Sequence, residues 1–211
     1  MRILNTEADL TYIETDLFLL LMPGRVGSKA FFRKITGKDN KWIVTNKNQV
    51  DVSVINEKLD TLQNKIKIIV VREPLERYKS GIKVFEYTKQ FVKDPNNFKA
   101  IKSMSSTANS INFLSSVQNW EVYRRHHGAP FIKYLDYNKI DYYIDFEDLY
   151  DYLGKNIEPK KTMDVNEDVD LHDEILAYEN LKKTMVKLPV DIWEDLLHNS
   201  KINNYDGEKY E

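Results

Sequence analysis

The sequence contains no cysteine, only four histidines and no long apolar run, and each absence excludes a class of protein. Without cysteine the chain cannot form a disulfide framework, a zinc site with thiolate ligands or a cysteine nucleophile. No two histidines are spaced i, i+4 along a helix, so we expect no metal site. The apolar runs are far shorter than the roughly 18 residues that cross a bilayer, so we expect no membrane span.

Charge and length indicate a single domain with a small anionic ligand. The 211 residues include 31 basic and 33 acidic side chains, and this near balance argues against a general nucleic-acid binder. Residues 25–47 are locally basic, which suits an anionic small molecule. The acidic first residues lack the apolar segment of a signal peptide, so we predict a soluble, cytoplasmic protein. We predict one domain over 1–211, with a core over about 16–154 and a C-terminal helical extension over about 170–199.

The first informative stretch is an apolar run followed by a short glycine-containing turn. Residues 17–22 are all apolar, which is typical of a strand buried on both faces. The turn P-G-R-V-G-S-K follows, and a helix is predicted to begin near Ala30. Unpaired amides and the dipole at a helix start favour an anion, and Arg25, Ser28 and Lys29 add charge and a donor. The order predicts a phosphate cradle; the alternative is an ordinary turn with basic surface residues.

The second stretch repeats this order of strand and helix. Residues 66–71, I-K-I-I-V-V, form a β-branched apolar run, and Arg72 stands at its end. Ser80 lies two turns into the following helix, on the face that also carries Arg77 and Glu73. Two arginines and a serine near a strand end can hold a second phosphate by charge-assisted hydrogen bonds. The alternative is a helix with a surface pair between Glu73 and Arg77.

Strands alternate with helices along the chain, and no internal repeat is present. This pattern predicts an α/β fold, a three-layer sandwich with a mostly parallel central sheet. Ligands bind such sheets at the carboxyl ends of the strands, which both stretches follow. Further strands are predicted at 42–45, 131–135 and 142–146, and helices at 30–35, 54–62, 75–92, 110–127, 147–153, 172–187 and 189–198.

Together the two stretches resemble the motifs of the sulfotransferases that use 3′-phosphoadenosine 5′-phosphosulfate (PAPS). The first resembles the 5′-phosphosulfate loop of that family, P-x-[K/R]-x-G-[S/T]-x after a strand, and is P-loop-like. The second, V-R-E-P-L-E-R-Y-K-S, matches the 3′-phosphate motif V-R-x-P-x-x-R-x-x-S position for position, with wording closest to the carbohydrate (glycosaminoglycan-type) branch. Residues 142–154, Y-Y-I-D-F-E-D-L-Y-D-Y-L-G, are similar to the family's strand, E-D-L and closing helix.

The resemblance implies transfer of a sulfuryl group from PAPS to a hydroxyl, in this branch of a carbohydrate, with release of 3′-phosphoadenosine 5′-phosphate (PAP) and no need for a metal. Arg25 takes the position of the usual catalytic lysine, and Lys29 is an alternative source of an ammonium. Arg77 would be a structural brace. The family's glycine-rich adenosine loop is absent, so adenine contacts stay unassigned. The implied nucleotide-binding residues are Arg25, Val26, Gly27, Ser28, Lys29, Ala30, Arg72 and Ser80.

The general base is not assigned by either motif. In the family it is often a glutamate or histidine between the two motifs, but no histidine lies there in this chain. Asp51 and Glu57 follow the predicted strand at 42–45, and His127 lies later, at a predicted helix end. These three are the candidates, and a solvated surface role is the alternative for each.

Three other functions stay open. A kinase also uses a strand, loop and helix, but G-R-V-G-S-K is not G-x-x-x-x-G-K-[ST], and no acidic residue ends the second strand to hold Mg²⁺. A degenerate module would bind PAP without turnover, which the absent lysine and the unassigned base allow. A protein-interaction scaffold that uses the C-terminal helices would bind no nucleotide.

Overall fold

The computed structural model describes residues 7–8, 10–27, 31, 50–81, 131–154 and 171–200. These residues form seven strands, which we number in chain order. They are β1 Glu7–Ala8, β2 Leu10–Glu14, β3 Phe18–Pro23, β4 Val50–Asp51, β5 Ile66–Val71, β6 Tyr142–Asp145 and β7 Val186–Lys187.

Helices follow most of these strands. The helix α2 begins at Pro74, because proline is tolerated in a first helical turn, and is described over 74–81. Within the described ranges, no helix is long and apolar enough to cross a membrane. The other helices are α1 Val52–Thr61, α3 Leu149–Tyr152, α4 His172–Thr184 and α5 Val190–Asn199, and 3-10 turns cover Ile132–Tyr134, Tyr137–Lys139 and Phe146–Asp148.

The main sheet is mixed but mostly parallel, and its strand order is β2-β3-β5-β6-β7. Strand β2 pairs antiparallel with β3, whereas β3, β5, β6 and β7 run parallel. The register places Leu21 opposite Ile69 and Val71 opposite Asp145. The carboxyl ends of β3, β5 and β6 therefore lie side by side at one edge of the sheet. Strands β1 and β4 form a separate antiparallel pair.

Apolar side chains fill both faces of the sheet. All six residues of β3 are buried, as the unbroken apolar run predicts. Alternate residues face opposite ways, so one face collects Leu19 and Leu21 and the other Phe18, Leu20 and Met22. Each such side chain contributes about 1.5–3 kcal/mol through burial. The first face packs against Ile55, Leu59 and Leu181 of α1 and α4, and the second against Phe31, Leu149 and Trp193.

The C-terminal segment, residues 171–200, packs against both faces of the sheet. The indole of Trp193 in α5 is fully buried, with its ring centroid 5.7 Å from that of Phe18 and 5.5 Å from that of Phe31. Its Nε1–H donates to the carbonyl of Tyr152 at 2.9 Å. Strand β7 adds to the sheet beside β6. The segment 171–200 therefore contributes a strand as well as helices to the fold.

Most of the predicted elements that fall on described residues are confirmed, with small shifts at their ends. The strands at 17–22, 66–71 and 142–146 and the helix at 54–62 are present. The helix predicted at 147–153 begins as a 3-10 turn. The helix predicted at 172–187 ends at Thr184, because Val186 and Lys187 pair with β6 instead. The predictions at 42–45, 82–92 and 110–127 lie outside the described residues.

The strand predicted at 131–135 is wrong, because this segment contains a 3-10 turn at Ile132–Tyr134. The carboxylate of Glu174 accepts hydrogen bonds from three successive backbone amides, those of Phe131, Ile132 and Lys133, at 2.8, 3.0 and 3.0 Å. Successive amides of a strand point to opposite sides, so they cannot all meet one carboxylate. The conformation of this segment therefore depends on Glu174, a partner that is distant in sequence.

Candidate anion-binding site

The loop after β3 is held in an unusual backbone conformation. Arg25 has a φ of 72° and Gly27 a φ of 80°. Residues other than glycine rarely adopt such positive φ values. A Cβ atom on Gly27 would clash with Cδ2 of Leu149, so a side chain there would require Leu149 to shift as well as a strained backbone. The amide of Phe31 donates to the carbonyl of Gly27 at 3.3 Å, and Phe31 is helical. The side chain of Val26 is buried in the apolar cluster that also contains Phe31 and Leu149.

A hydrogen-bonded cluster joins this loop to the second motif. The Nε and Nη2 atoms of Arg25 donate to the hydroxyl of Ser80, at 3.2 and 3.1 Å. The Nη1 atom of Arg72 donates to the backbone carbonyl of Arg25 at 3.2 Å. The positive φ of Arg25 thus accompanies two contacts, one through its side chain and one through its carbonyl. We call Arg25, Arg72 and Ser80 the arginine-serine cluster.

Arg72 is the most constrained member of the cluster. Its side chain is buried, and its guanidinium carbon lies 4.2 Å from the ring centroid of Phe146. Burial lowers the pKa of Arg72, the charge of Arg25 lowers it further, and Glu76 opposes both. Its Nε–H has no hydrogen-bond partner among the described residues. A buried donor without an acceptor costs about 1–3 kcal/mol, so an anion with free lone pairs would stabilise this site.

Helix α2 presents Ser80 to the cluster. Glu73 caps its N-terminus, because its Oε1 accepts the amide of Leu75 at 3.0 Å and its Oε2 accepts the amide of Glu76 at 2.7 Å. The carboxylate of Glu73 is thus used by the backbone. Arg77 lies one turn before Ser80, and its Nη2 atom donates to Oε1 of Glu174 at 3.5 Å, with both residues buried. This contact suits the bracing role that the resemblance implies for Arg77.

The structure brings together some predicted site residues and does not place others. Arg25, Arg72 and Ser80 meet, and Val26 and Gly27 shape the loop beside them. Asp51 ends β4, opposite Glu7, and its side chain is not among the described ones. Glu57 is exposed in the middle of α1, so the general base stays a prediction. Ser28, Lys29, Ala30 and His127 lie outside the described residues.

A second polar cluster, which the sequence did not predict, lies one strand away. The Nζ of Lys182 is 2.9 Å from Oδ2 of Asp145 at the end of β6, and it donates to the hydroxyl of Tyr178 at 3.3 Å. Burial and the charge of Asp145 raise the pKa of Tyr178 to about 12, although Lys182 opposes them. Burial lowers the pKa of Lys182, but its contacts with Asp145 and Tyr178 outweigh burial and raise it. These contacts fasten α4 to the sheet.

Two residues near the site were missed for different reasons. The ring of Phe146 packs against the guanidinium of Arg72. Phe146 directly follows β6, and an aromatic residue at the carboxyl end of a strand is a pattern from which a contact with the site could have been predicted. Glu174 offers no local signal, because its partners are distant in sequence.

Comparison of the chain with family models, with curated proteins and with solved structures finds no match. The function is therefore inferred from the two motifs and the geometry of the cluster.

Proposed function

We propose that the protein is a PAPS-dependent sulfotransferase that transfers a sulfuryl group to a hydroxyl, of a carbohydrate in our proposal, and releases PAP. One observation carries the proposal: Arg25, Arg72 and Ser80 meet where two neighbouring parallel strands end. Arg25 belongs to the 5′-phosphosulfate-like loop, and the other two belong to the 3′-phosphate-like motif. The proposal includes a three-layer, P-loop-like domain that works in the cytoplasm.

The chemistry of the cluster fits a phosphorylated nucleotide. The Nε–H of Arg72 has no acceptor among the residues that the structure describes, and a phosphate oxygen is the acceptor that such a donor prefers. Two guanidinium groups beside each other repel, and a bound dianion would offset that repulsion. Phe146 covers one face of Arg72 and excludes water there. The 3′-phosphate of PAPS is therefore assigned to Arg72 and Ser80.

The chain's own residues would bind, orient and stabilise charge. Bound PAPS would supply the activated sulfuryl group. Arg25, with Lys29 as a second cation, would stabilise negative charge on the oxygen that leaves sulfur, and losing one such donor typically costs about 3 kcal/mol of the barrier. A base would take the proton of the acceptor hydroxyl as its oxygen bonds to sulfur, and Asp51, Glu57 and His127 are the candidates.

The test compares thermal unfolding of the protein with PAP and with ATP–Mg²⁺. A ligand at 100 times its dissociation constant adds about 2.7 kcal/mol of stability. We expect PAP to raise the midpoint of the wild type and to have little effect on Arg72→Ala. Lys65→Ala is the matched control, since Lys65 directly precedes β5 as Arg72 directly follows it. The control also loses one positive charge, but at the opposite end of the strand, so its response to PAP should match the wild type.

Each result decides between functions. No rise with PAP in the wild type would refute the sulfotransferase proposal, and a rise with ATP–Mg²⁺ alone would favour a kinase. Equal loss of the PAP response in Lys65→Ala and Arg72→Ala would show that general charge, not the cluster, binds the nucleotide. Transfer from labelled PAPS to oligosaccharides would then identify an enzyme, and substitution of its base would lower kcat about 10²–10⁴-fold without changing the PAP response.

A PAP-binding module without turnover is the second candidate function. The position of the usual catalytic lysine holds Arg25, and two of its donor atoms are engaged by Ser80. An arginine so engaged is less available to a leaving oxygen than a mobile ammonium. Binding of PAP together with no transfer from PAPS to any acceptor would favour this module.

A further inference from the structure

Glu174 has the lowest exposure, 1%, of the charged side chains in the described part of the chain. Its carboxylate accepts hydrogen bonds from the amides of Phe131, Ile132 and Lys133 and from the guanidinium of Arg77. A buried carboxylate is tolerated only when such partners replace water. The sulfotransferase proposal gives Glu174 no role, although it touches the helix that carries Ser80.

The contact with Arg77 links α4 to α2. Arg77 and Ser80 are three residues apart and therefore lie on the same side of α2. A small apolar cluster reinforces the link, in which Tyr78 of α2 packs against Leu171 and Ile175 at the start of α4. Glu174 thus contacts Arg77 in α2, and Ser80, one turn further along the same helix, contacts the loop after β3.

The geometry of this pair is sensitive to its charge. Arg77 is only 4% exposed, so loss of the Glu174 charge would remove a charged partner from a buried guanidinium. The guanidinium would then move toward water or another acceptor, and α2 would shift with it. Ser80 accepts from Arg25, whose carbonyl accepts from Arg72, so the whole cluster depends on where α2 lies.

We propose that Glu174 is a positioning residue of the nucleotide site, which acts through Arg77 to set the distance between Ser80 and the two arginines. This inference rests on the proposed function. Because Ser80 and Arg72 are assigned to the 3′-phosphate, the role of Glu174 is specific to that phosphate. The C-terminal segment thereby determines whether the protein distinguishes PAP from adenosine 5′-monophosphate (AMP), which lacks the 3′-phosphate.

The experiment is calorimetric titration of the full chain with PAP and with AMP, for the wild type and Glu174→Gln. Glutamine keeps the shape and one oxygen but removes the charge. We expect affinity for PAP to fall about tenfold, the effect of weakening one charge-assisted hydrogen bond. Affinity for AMP should stay within about twofold, so the ratio of the two affinities falls. A role in stability alone would lower the unfolding midpoint and leave this ratio unchanged.

Asp145→Asn is the matched control. It makes the same change from carboxylate to amide in a buried residue. Asp145 also contacts α4, but it does so through Lys182 and not through the link between Glu174 and Arg77. The ratio of PAP to AMP affinity should equal that of the wild type. Equal ratios in Glu174→Gln and the wild type, or equal losses for PAP and AMP, would overturn the inference.

Arg77→Lys tests the same link if Glu174→Gln does not fold. A lysine keeps the charge but cannot reproduce the guanidinium geometry, so the ratio should again fall. An unchanged ratio in Arg77→Lys would overturn the inference. A wild type that binds PAP and AMP equally would instead refute the assignment of the 3′-phosphate, and so the proposed function itself.

Discussion

The guanidinium of Arg25 donates two hydrogen bonds to the hydroxyl of Ser80, although 55 positions separate the two residues. Arg25 follows β3 and Ser80 lies on the helix after β5, so the contact joins the two motifs across neighbouring parallel strands. The backbone of Arg25 has a φ of 72°, a conformation that arginine rarely adopts.

Ser80→Ala is expected to weaken the response to PAP. Loss of one hydrogen bond to a phosphate should reduce affinity about tenfold, which makes the PAP-induced gain in stability about 1.4 kcal/mol smaller at the same PAP concentration. Ser200→Ala is the control, because Ser200 is equally buried but donates to the carbonyl of Leu196 and lies 3.4 Å from the hydroxyl of Thr15, before β3. Thermal unfolding with and without PAP measures both variants. An equal gain in Ser80→Ala and the wild type would exclude Ser80 from the site.

Gly27→Ala is expected to destabilise the protein by about 2–4 kcal/mol, from backbone strain at positive φ together with overpacking. The added Cβ would lie inside van der Waals contact with Cδ2 of Leu149. Urea unfolding of Gly27→Ala, Leu149→Ala and the double variant separates the two causes. The double variant should be more stable than the sum of the single changes predicts, because Leu149→Ala removes the clashing atom. Strict additivity would mean that backbone strain alone is responsible.

Glu14→Gln should lower stability at neutral pH but not in acid. Glu14 lies 2.6 Å from the Nζ of Lys58 and 2.8 Å from that of Lys65. Burial raises the pKa of Glu14, but the hydrogen bonds from both lysines outweigh burial and lower it below its ordinary value of 4.5. A lowered pKa contributes stability that is present above the ordinary pKa and is lost as pH falls through the folded-state pKa.

The difference in midpoint between the wild type and Glu14→Gln should therefore be full at neutral pH, begin to fall near pH 4.5 and vanish only below the lower pKa of the folded state. It corresponds to no more than about 1 kcal/mol, because the pair is partly exposed, and salt should reduce it. The same change at Glu179, whose contact with Lys183 is 3.9 Å and exposed, is the control and should have little effect at pH 7. A difference that persists unchanged in acid would contradict the ionic explanation.

Trp193→Ala should cost about 3–5 kcal/mol, because the indole is fully buried among aromatic rings and donates to the carbonyl of Tyr152. Val186→Ala, in the same C-terminal segment but 62% exposed, should change stability by less than about 0.5 kcal/mol. Urea unfolding compares the two. If both variants matched the wild type, the C-terminal segment would not be part of the core.

The sequence by itself determined the strands near 17–22 and 66–71, because strongly apolar runs of this length are typical of strands that are buried on both faces. It also predicted that the loop with Arg25 and the segment with Arg72 and Ser80 follow the carboxyl ends of two strands, where ligands bind such sheets. These inferences need only local patterns and one general rule of α/β topology.

Only the tertiary structure decided the polar contacts between distant segments. The turn at Ile132–Tyr134 depends on Glu174, and Arg77 meets the same carboxylate from 97 positions away. The two residues of β7 are exposed and carry no apolar pattern, and they are a strand because they pair with β6. Periodicity reports which face of an element is apolar. It does not report which distant group satisfies a buried donor, because that partner is chosen when the segments pack together.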